Sequence, residues 1–279
     1  IGTYAREIAL AAMRLGAEVT LMAPDYERDS ESDDRALPFQ IQRFRGGLHS
    51  MRDLPSKIRL ARGQVTTDTY DIVHAADWPF FIPLALSRRR TDARLIVTVH
   101  GTEINETQTR LKRLAIDATG VFGSRTEVTA NSRYTRDLFQ KRFSIDPKQI
   151  KAIPLGVSDF WFGPRASRDT TRRAHRLPDD KLVIVSVARL TRRKGHHMTL
   201  AALARLPHDV RKRIVWLVVG PPGESDYVEG IRRLAKETDC DVRILGPLPD
   251  REIRDLYGAS DFFCLTGVPD DPSGRVEGF

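Results

Sequence analysis

Apolar residues recur at helical spacing over residues 3–15, where Ile8, Ala11, Ala12 and Leu15 share a stripe, and Gly16 stands where a helix C-terminal glycine belongs. Residues 18–23 then alternate through Val19, Leu21 and Ala23 and read as a strand. An acidic stretch over 25–34 leads to a short apolar run at 39–44 and a basic segment at 45–62, expected to be partly helical. Strand-like runs follow at 71–75, 94–99, 127–130 and 149–153, separated by helical stretches such as 111–121 and 134–142. Strands alternating with helices predict a parallel sheet covered on both faces.

The pattern lapses over 156–180, where Pro164, Pro178 and an arginine-rich polar run interrupt it, and an inter-domain connection is expected there. The alternation restarts at 182–187, Leu-Val-Ile-Val-Ser-Val, apolar enough for a central parallel strand, followed by a helix over 199–206. It repeats with a strand at 214–219 and a helix at 228–238, a strand at 242–245 and a helix at 250–258, and a strand at 261–265. The expected organisation is α/β throughout: a Rossmann-like domain over 1–160, a connection over 161–180 and a second Rossmann-like domain over 181–279.

At 279 residues the chain has length for two such cores, and 41% hydrophobic residues exclude the disordered classes. Two cysteines, Cys240 and Cys264, are too few for a disulfide framework or a closed zinc site, so a reducing, cytoplasmic setting is the expectation. The net charge of +8, carried by 36 Arg and 9 Lys, favours phosphates, anionic lipid or nucleic acid without choosing among them. The longest apolar stretch, 78–86, is far short of the ~20 residues of a spanning helix. The chain opens on Ile1 rather than Met and stops at Phe279 inside what reads as a motif, as a fragment cut at both ends would.

The segment with the most chemistry is 187–195, Val-Ala-Arg-Leu-Thr-Arg-Arg-Lys-Gly, at the carboxyl end of a buried-looking strand and just before a helix. Open α/β sheets bind ligands at that end, and a helix N-terminus adds N–H donors for an anion. Arg189 and Lys194 are spaced to reach one diphosphate, the first as a fork and the second as a point charge. A solvated basic turn is the plainer alternative. Neither a P-loop nor the dinucleotide fingerprint is present.

In order and spacing the motifs resemble the retaining glycosyltransferases of family 4. These are Gly2-Thr-Tyr-Ala-Arg-Glu-Ile-Ala, Tyr70-Asp-Ile-Val-His74, Val97-Thr-Val-His100-Gly101 and Val128-Thr-Ala-Asn-Ser132, then Ile153-Pro-Leu-Gly-Val157, the 189–195 loop, Val218-Val-Gly220-Pro, Leu245-Gly246, Ala259-Ser-Asp261 and Val276-Glu-Gly-Phe279. The resemblance covers the whole chain. It implies the GT-B fold, two Rossmann-like domains with parallel sheets facing a cleft, here without the first strand and the C-terminal part. It also implies a nucleotide-sugar donor whose diphosphate is held by Arg189 and Lys194. Glu277 is the first carboxylate of the family's paired-Glu motif and lies near the donor sugar, with the backbone of Gly278 and Phe279 following; the second carboxylate would fall beyond Phe279. The resemblance makes His100 an active-site histidine, Gly2 the tail of a glycine loop near the donor phosphates, and Leu248 a contact to the base.

Other positions stay open between site and scaffold. His74 ends its strand as His100 does, Gly220 serves either nucleotide approach or a turn, and Asp261 reads as a cap. His196 and His197 lack a third ligand at metal spacing. Two departures from the family bear on the acceptor: Ala76 stands where a second histidine is common, and the Asn-Gly-Val-Asp motif appears as Leu155-Gly-Val-Ser158.

The reaction so implied moves a sugar from a UDP-, GDP- or ADP-linked donor to a hydroxyl of a glycan, lipid or small-molecule acceptor with its anomeric configuration kept. No cofactor and no metal are implied, since cationic side chains stabilise the leaving diphosphate. The basic stretch at 42–62 suits either a solvated helix face or peripheral contact with the inner face of a membrane. The competing readings are a polyanion binder, a non-catalytic remnant and a sugar-nucleotide epimerase. No nucleic-acid motif supports the first, so no nucleic-acid partner is expected.

Overall fold

The computed structural model describes residues 2–25, 34–44, 54–67, 70–77, 80–87, 92–101, 110–143, 145–223 and 225–269. They form two compact units, one ending at Gly156 and the other beginning at Val157.

The first unit opens with α1 (Gly2–Arg14). Gly16, at φ +88°, closes that helix: its N–H donates to the Met13 carbonyl at 2.8 Å and the Ala17 N–H reaches back to Ala12 at 3.1 Å. This paired closure needs a left-handed residue, which glycine supplies without strain. Strands β1 (Thr20–Pro24) and β2 (Gln40–Phe44) pair in parallel as a two-stranded sheet. After α2 (Leu54–Thr67) comes a separate four-stranded parallel sheet in the order β3-β4-β5-β6, made of Ile72–Ala75, Arg94–Val99, Thr126–Ala130 and Ile150–Ala152. The unit's strands thus fall into two sheets where the alternation suggested one.

Residues alternate between the two faces of a strand. Leu95, Val97 and Val99 of β4 bury with Val128 and Ala130 of β5 against Phe81 and Leu84 of α3 (Phe81–Ser87) and Phe139 of α5 (Arg133–Phe143), with α4 (Arg110–Thr119) preceding β5. The residues between them face the other way. Register places His74 beside Ile96 and Thr98 beside Thr129, so the buried Thr98 and its neighbours occupy the opposite face.

One cation of the basic segment is less exposed than its composition suggested. Lys57 is buried on α2, its ammonium 5.7 Å from the centre of the Phe80 ring. An aliphatic stem under a ring-facing ammonium is how a lysine tolerates burial.

The second unit is a doubly wound parallel sheet, order β10-β7-β8-β9, from Phe262–Phe263, Leu182–Val187, Ile214–Val219 and Asp241–Gly246. Every residue of β8 is buried, because both faces are covered. Val215, Leu217 and Val219 pack toward Ile253 and Leu256 of α10 (Asp250–Ala259). Ile214, Trp216 and Val218 pack toward α7 (His196–Ala204) and α9 (Ser225–Glu237), and a one-turn helix α8 (His208–Arg211) leads into β8.

The arginine-rich run read as a connection folds into this unit as α6 (Arg168–Ala174), capped by the Ser167 hydroxyl on the Thr170 N–H. Arg172 is 2% exposed. It donates to the carbonyls of Ala259, Pro178, Asp179 and Lys181 at 3.1–3.3 Å and to the Asp261 carboxylate at 2.9 Å. Asp261 also accepts the Val183 N–H at 2.7 Å and Arg168 at 2.5 Å. Burial alone would raise the Asp261 carboxyl, but that N–H and the two arginines outweigh it and hold the group below the usual carboxylate range. Asp261 therefore ties α6 to the start of β7, a wider task than a local cap.

Candidate functional site

In the second unit, the loop leaving β7 is held on three sides by backbone approaches that exclude side chains. The Leu190 N–H donates to the Pro221 carbonyl at 3.1 Å, and a Cβ on Gly220 would lie 2.2 Å from the Ala188 oxygen. Gly220 is therefore required by strand-end packing. A Cβ on Gly223 would come within 2.4 Å of the Thr191 methyl. Gly195, at φ +70°, ends a 3₁₀ turn (Arg192–Lys194) and starts α7; a Cβ there would sit 1.6 Å from the Thr266 carbonyl oxygen. The Thr266 hydroxyl donates to the Gly195 carbonyl at 2.7 Å and meets Thr199 at 2.9 Å, while the Val268 N–H donates to Arg193 at 3.0 Å. Thr266 and Thr199 carry no motif that marks them in sequence; only the glycine hints at something pressing on the turn.

On this braced loop Arg189 is exposed, and its guanidinium makes no hydrogen bond or ion pair among the described residues. Lys194 lies five residues on, half-buried at the end of the 3₁₀ turn. The first turn of α7 is partly satisfied within the unit, because the Tyr227 hydroxyl accepts the His197 N–H at 3.1 Å and Met198 donates to Gly195 at 2.8 Å. An incoming anion would therefore rely on the side-chain cations more than on the helix end. Leu248 packs on the apolar cluster of Leu177, Val183 and Leu256. Glu277, Gly278 and Phe279 lie outside the described residues.

His196 is 1% exposed beside the Trp216 and Tyr227 rings, and neither of its ring nitrogens has a hydrogen-bond partner. Burial, helped by the charges of His197 and Lys194, lowers it to about 4. It packs as a neutral ring. Among the described residues no group of three or more His, Cys, Asp or Glu is disposed to hold a metal ion.

In the first unit, Gly2 begins α1, and a Cβ there would meet no atom within 4 Å. Two residues on, the Tyr4 ring stands edge-on to His100 with centroids 4.7 Å apart and to His74 at 6.2 Å. His100 Nε2 donates to the Ala76 carbonyl at 3.1 Å, and its own carbonyl accepts from the Asn131 amide at 3.2 Å. Burial lowers the His100 pKa, and the Ala76 bond offsets part of that. His74 is lowered to about 4 by burial, with a smaller push from His100. The sequence pointed to both histidines as strand-end residues; Tyr4 and Thr98, which tie them together, stood unremarked inside the same motifs.

His74 and His196 give each unit an acid-sensitive imidazole. The unfolded chain protonates them near 6.5 and the folded chain only near 4, so stability is full above pH 6.5 and falls as pH drops from there toward 4. Replacing His196 by Phe removes two buried unpaired nitrogens and is expected to stabilise the second unit by about 1 kcal/mol at neutral pH. The gain should be larger at pH 5. Urea titrations at the two pH values measure it, and an equal gain at both would rule out His196 as a source of the acid limb.

The chain matches the family described as Glycosyltransferase Family 4 over residues 1–159 and Glycosyl transferases group 1 over residues 167–278. It is 26% identical over 253 residues to the GDP-mannose-dependent alpha-(1-6)-phosphatidylinositol monomannoside mannosyltransferase of Mycolicibacterium smegmatis, covering 89% of this chain and 64% of that protein. It is 25% identical over 298 residues to the D-inositol 3-phosphate glycosyltransferase of Xylanimonas cellulosilytica, covering 95% and 69%. Among solved structures, a glycosyltransferase from Rickettsia africae superposes with a TM-score of 0.75 at 18% identity, covering 94% of this chain and 68% of that one. Anabaena Alr3699/HepE in complex with UDP and glucose gives 0.71 at 19%, covering 95% and 71%. The chain thus spans just under two thirds of the mycobacterial relative's length. The structural likenesses show the GT-B fold, in keeping with two α/β units whose sheets are parallel throughout. With its Family 4 match extending over more than half of its residues, the chain belongs to glycosyltransferase family 4.

Proposed function

We propose that the protein transfers a sugar from a nucleoside-diphosphate sugar to a hydroxyl acceptor in glycan or glycolipid assembly, keeping the anomeric configuration. The observation that carries this reading is Arg189: a guanidinium without a partner among the described residues, on a loop braced by Gly195, Gly220 and Gly223, at the carboxyl end of β7. An unpaired cation on a fixed loop suits a diphosphate that gains charge as the sugar departs, and Lys194 adds a second positive group. Charge neutralisation then rests on side chains, with no metal called for. Half-buried, neutral His100 is the residue we assign to the sugar's hydroxyls; its Nε2–H goes to the Ala76 carbonyl, so Nδ1 would be the atom that accepts from a hydroxyl.

Donor and acceptor class follow from relatives. The mycobacterial protein's name carries GDP-mannose and a phosphatidylinositol glycolipid, and that of the Xylanimonas protein an inositol phosphate. A lipid-borne acceptor accords with the exposed Arg59 and Arg62 of α2, and with peripheral attachment, since no helix among the described residues is long and apolar enough to cross a membrane. The test is acceptor-dependent release of nucleoside diphosphate from UDP-, GDP- and ADP-sugars, with the anomeric configuration of the product read by NMR. Release with retention is expected. Release that ignores every acceptor, or an inverted product, would defeat the proposal.

A further inference from the structure

Thr98 is 2% exposed, and three side chains converge on its hydroxyl: His74 Nε2 at 2.7 Å, Thr129 Oγ1 at 2.7 Å and the Tyr4 hydroxyl at 3.0 Å. A hydroxyl has one hydrogen to give and two lone pairs to accept with, so three partners fill it completely. The directions follow from where the other hydrogens can go. Tyr4 has no second acceptor among the described residues. Thr129 has one alternative, the Val97 carbonyl, at a long 3.4 Å. If both donate to Thr98, the Thr98 hydrogen goes to His74 Nε2 and every bond is well made. Were His74 to donate instead, either Tyr4 would keep its hydrogen unspent or Thr129 would turn to the poorer bond, whereas the hydrogen left over in the first arrangement, on His74 Nδ1, is not on a buried atom without a partner. His74 thus accepts at Nε2 and carries its proton on Nδ1. His100 is the reverse, since its Nε2 donates to the Ala76 carbonyl.

We propose that Thr98 is a positioning residue that sets His74 in the Nδ1–H tautomer and, by anchoring the Tyr4 ring, fixes the His100 imidazole beside it, so that neighbouring histidines hold opposite tautomers. The alternation of β4 places Thr98 on the face away from Leu95, Val97 and Val99, and the in-register Thr129 lies beside it on the same face. α1 supplies the third partner from the first turn after Gly2. Glycine-loop helix, β3, β4 and β5 therefore meet at one oxygen. Burial keeps both rings neutral near pH 7, the condition under which a tautomer is defined. The consequence for turnover rests on the transferase reading; the tautomers belong to the free chain.

The experiment is a long-range ¹H–¹⁵N correlation on the histidine-labelled chain at pH 7.5, with His74 assigned by its loss in His74→Gln. His74 is expected to show a lone pair at Nε2. Thr98→Val is expected to move it to the Nε2–H form that predominates in water, and Thr98→Ser to restore the original. In transfer assays Thr98→Val should lower kcat about tenfold, the low end of what outer partners of functional histidines contribute. Donor KM should stay within about twofold, because no direct donor contact is lost, and Thr98→Ser should recover turnover. Near-UV circular dichroism establishes that each variant is folded, and Thr98→Ser carries the comparison if the valine variant is not. An Nε2–H signal for His74 in the unaltered chain, or a tautomer unmoved by Thr98→Val, overturns the proposal. A chain with the expected tautomers but no acceptor-dependent turnover overturns the transferase reading and leaves the hub standing.

Discussion

Replacing Arg172 by methionine is expected to lower the unfolding free energy of the second unit by about 3–5 kcal/mol, the range for breaking a buried ion pair from one side. The side chain fits the same space, so the loss is electrostatic and not a cavity. Four carbonyls, those of Ala259, Pro178, Asp179 and Lys181, would lose the Arg172 donor around a guanidinium that is itself buried, and Asp261 would keep only Arg168 and the Val183 N–H. Arg168 is the internal control. It meets the same carboxylate from a largely solvated position, where exposed ion pairs are worth about 0–1 kcal/mol, so Arg168→Ala should cost far less. Urea unfolding followed through Trp216 fluorescence measures both. A loss under about 1 kcal/mol for Arg172→Met would mean that water reaches those carbonyls and that α6 is held on by other contacts.

That arginine also shows where local pattern stops being informative. The strands at 94–99, 182–187 and 214–219 fall where the apolar runs placed them, because a parallel strand covered on both faces is apolar along its whole length. Residues 165–176 read as a linker since five of the charges are arginines, yet the partner that admits Arg172 to the interior, Asp261, stands 89 positions away. No window along the chain contains both. The helix α7 begins at His196, three residues before its apolar stripe, and there His196 is buried beside Trp216, which its polarity in sequence does not show. Lys57 is the same lesson on α2, a charge whose environment is decided by Phe80.

The two site regions divide similarly. Arg189, Lys194 and the glycines around them are singled out by residue type and spacing, and the structure sets them on one braced loop at the end of β7. The Thr98 hub is not, since it exists only when β3, β4 and β5 lie in one register with α1 across them. Threonines in a strand are usual, and nothing local separates this one from Thr126.

The unpaired state of Arg189 leads to the sharpest binding result. Calorimetric titration of the chain with UDP, GDP and ADP is expected to single out one nucleotide, and the Arg189→Ala/Lys194→Ala variant to bind it at least about 100-fold more weakly. Each charge-assisted hydrogen bond contributes roughly 1.5–3 kcal/mol, so losing two exceeds the ~2.7 kcal/mol that a hundredfold represents. The variant should also weaken the salt dependence of binding, because fewer charges remain to be screened. Stability ought to change little on the Arg189 side, since that exposed guanidinium holds nothing in place and its stem only brushes Gly223. This separates a lost ligand contact from a lost fold. Were the variant to bind as well as the parent, the diphosphate would have to sit elsewhere, and Arg189, which the braced loop exposes together with Arg192, would be no more than part of a solvated turn. Were the parent to bind all three nucleotides alike, the site would be reading phosphate alone, and selection of the donor would fall to residues that touch the base.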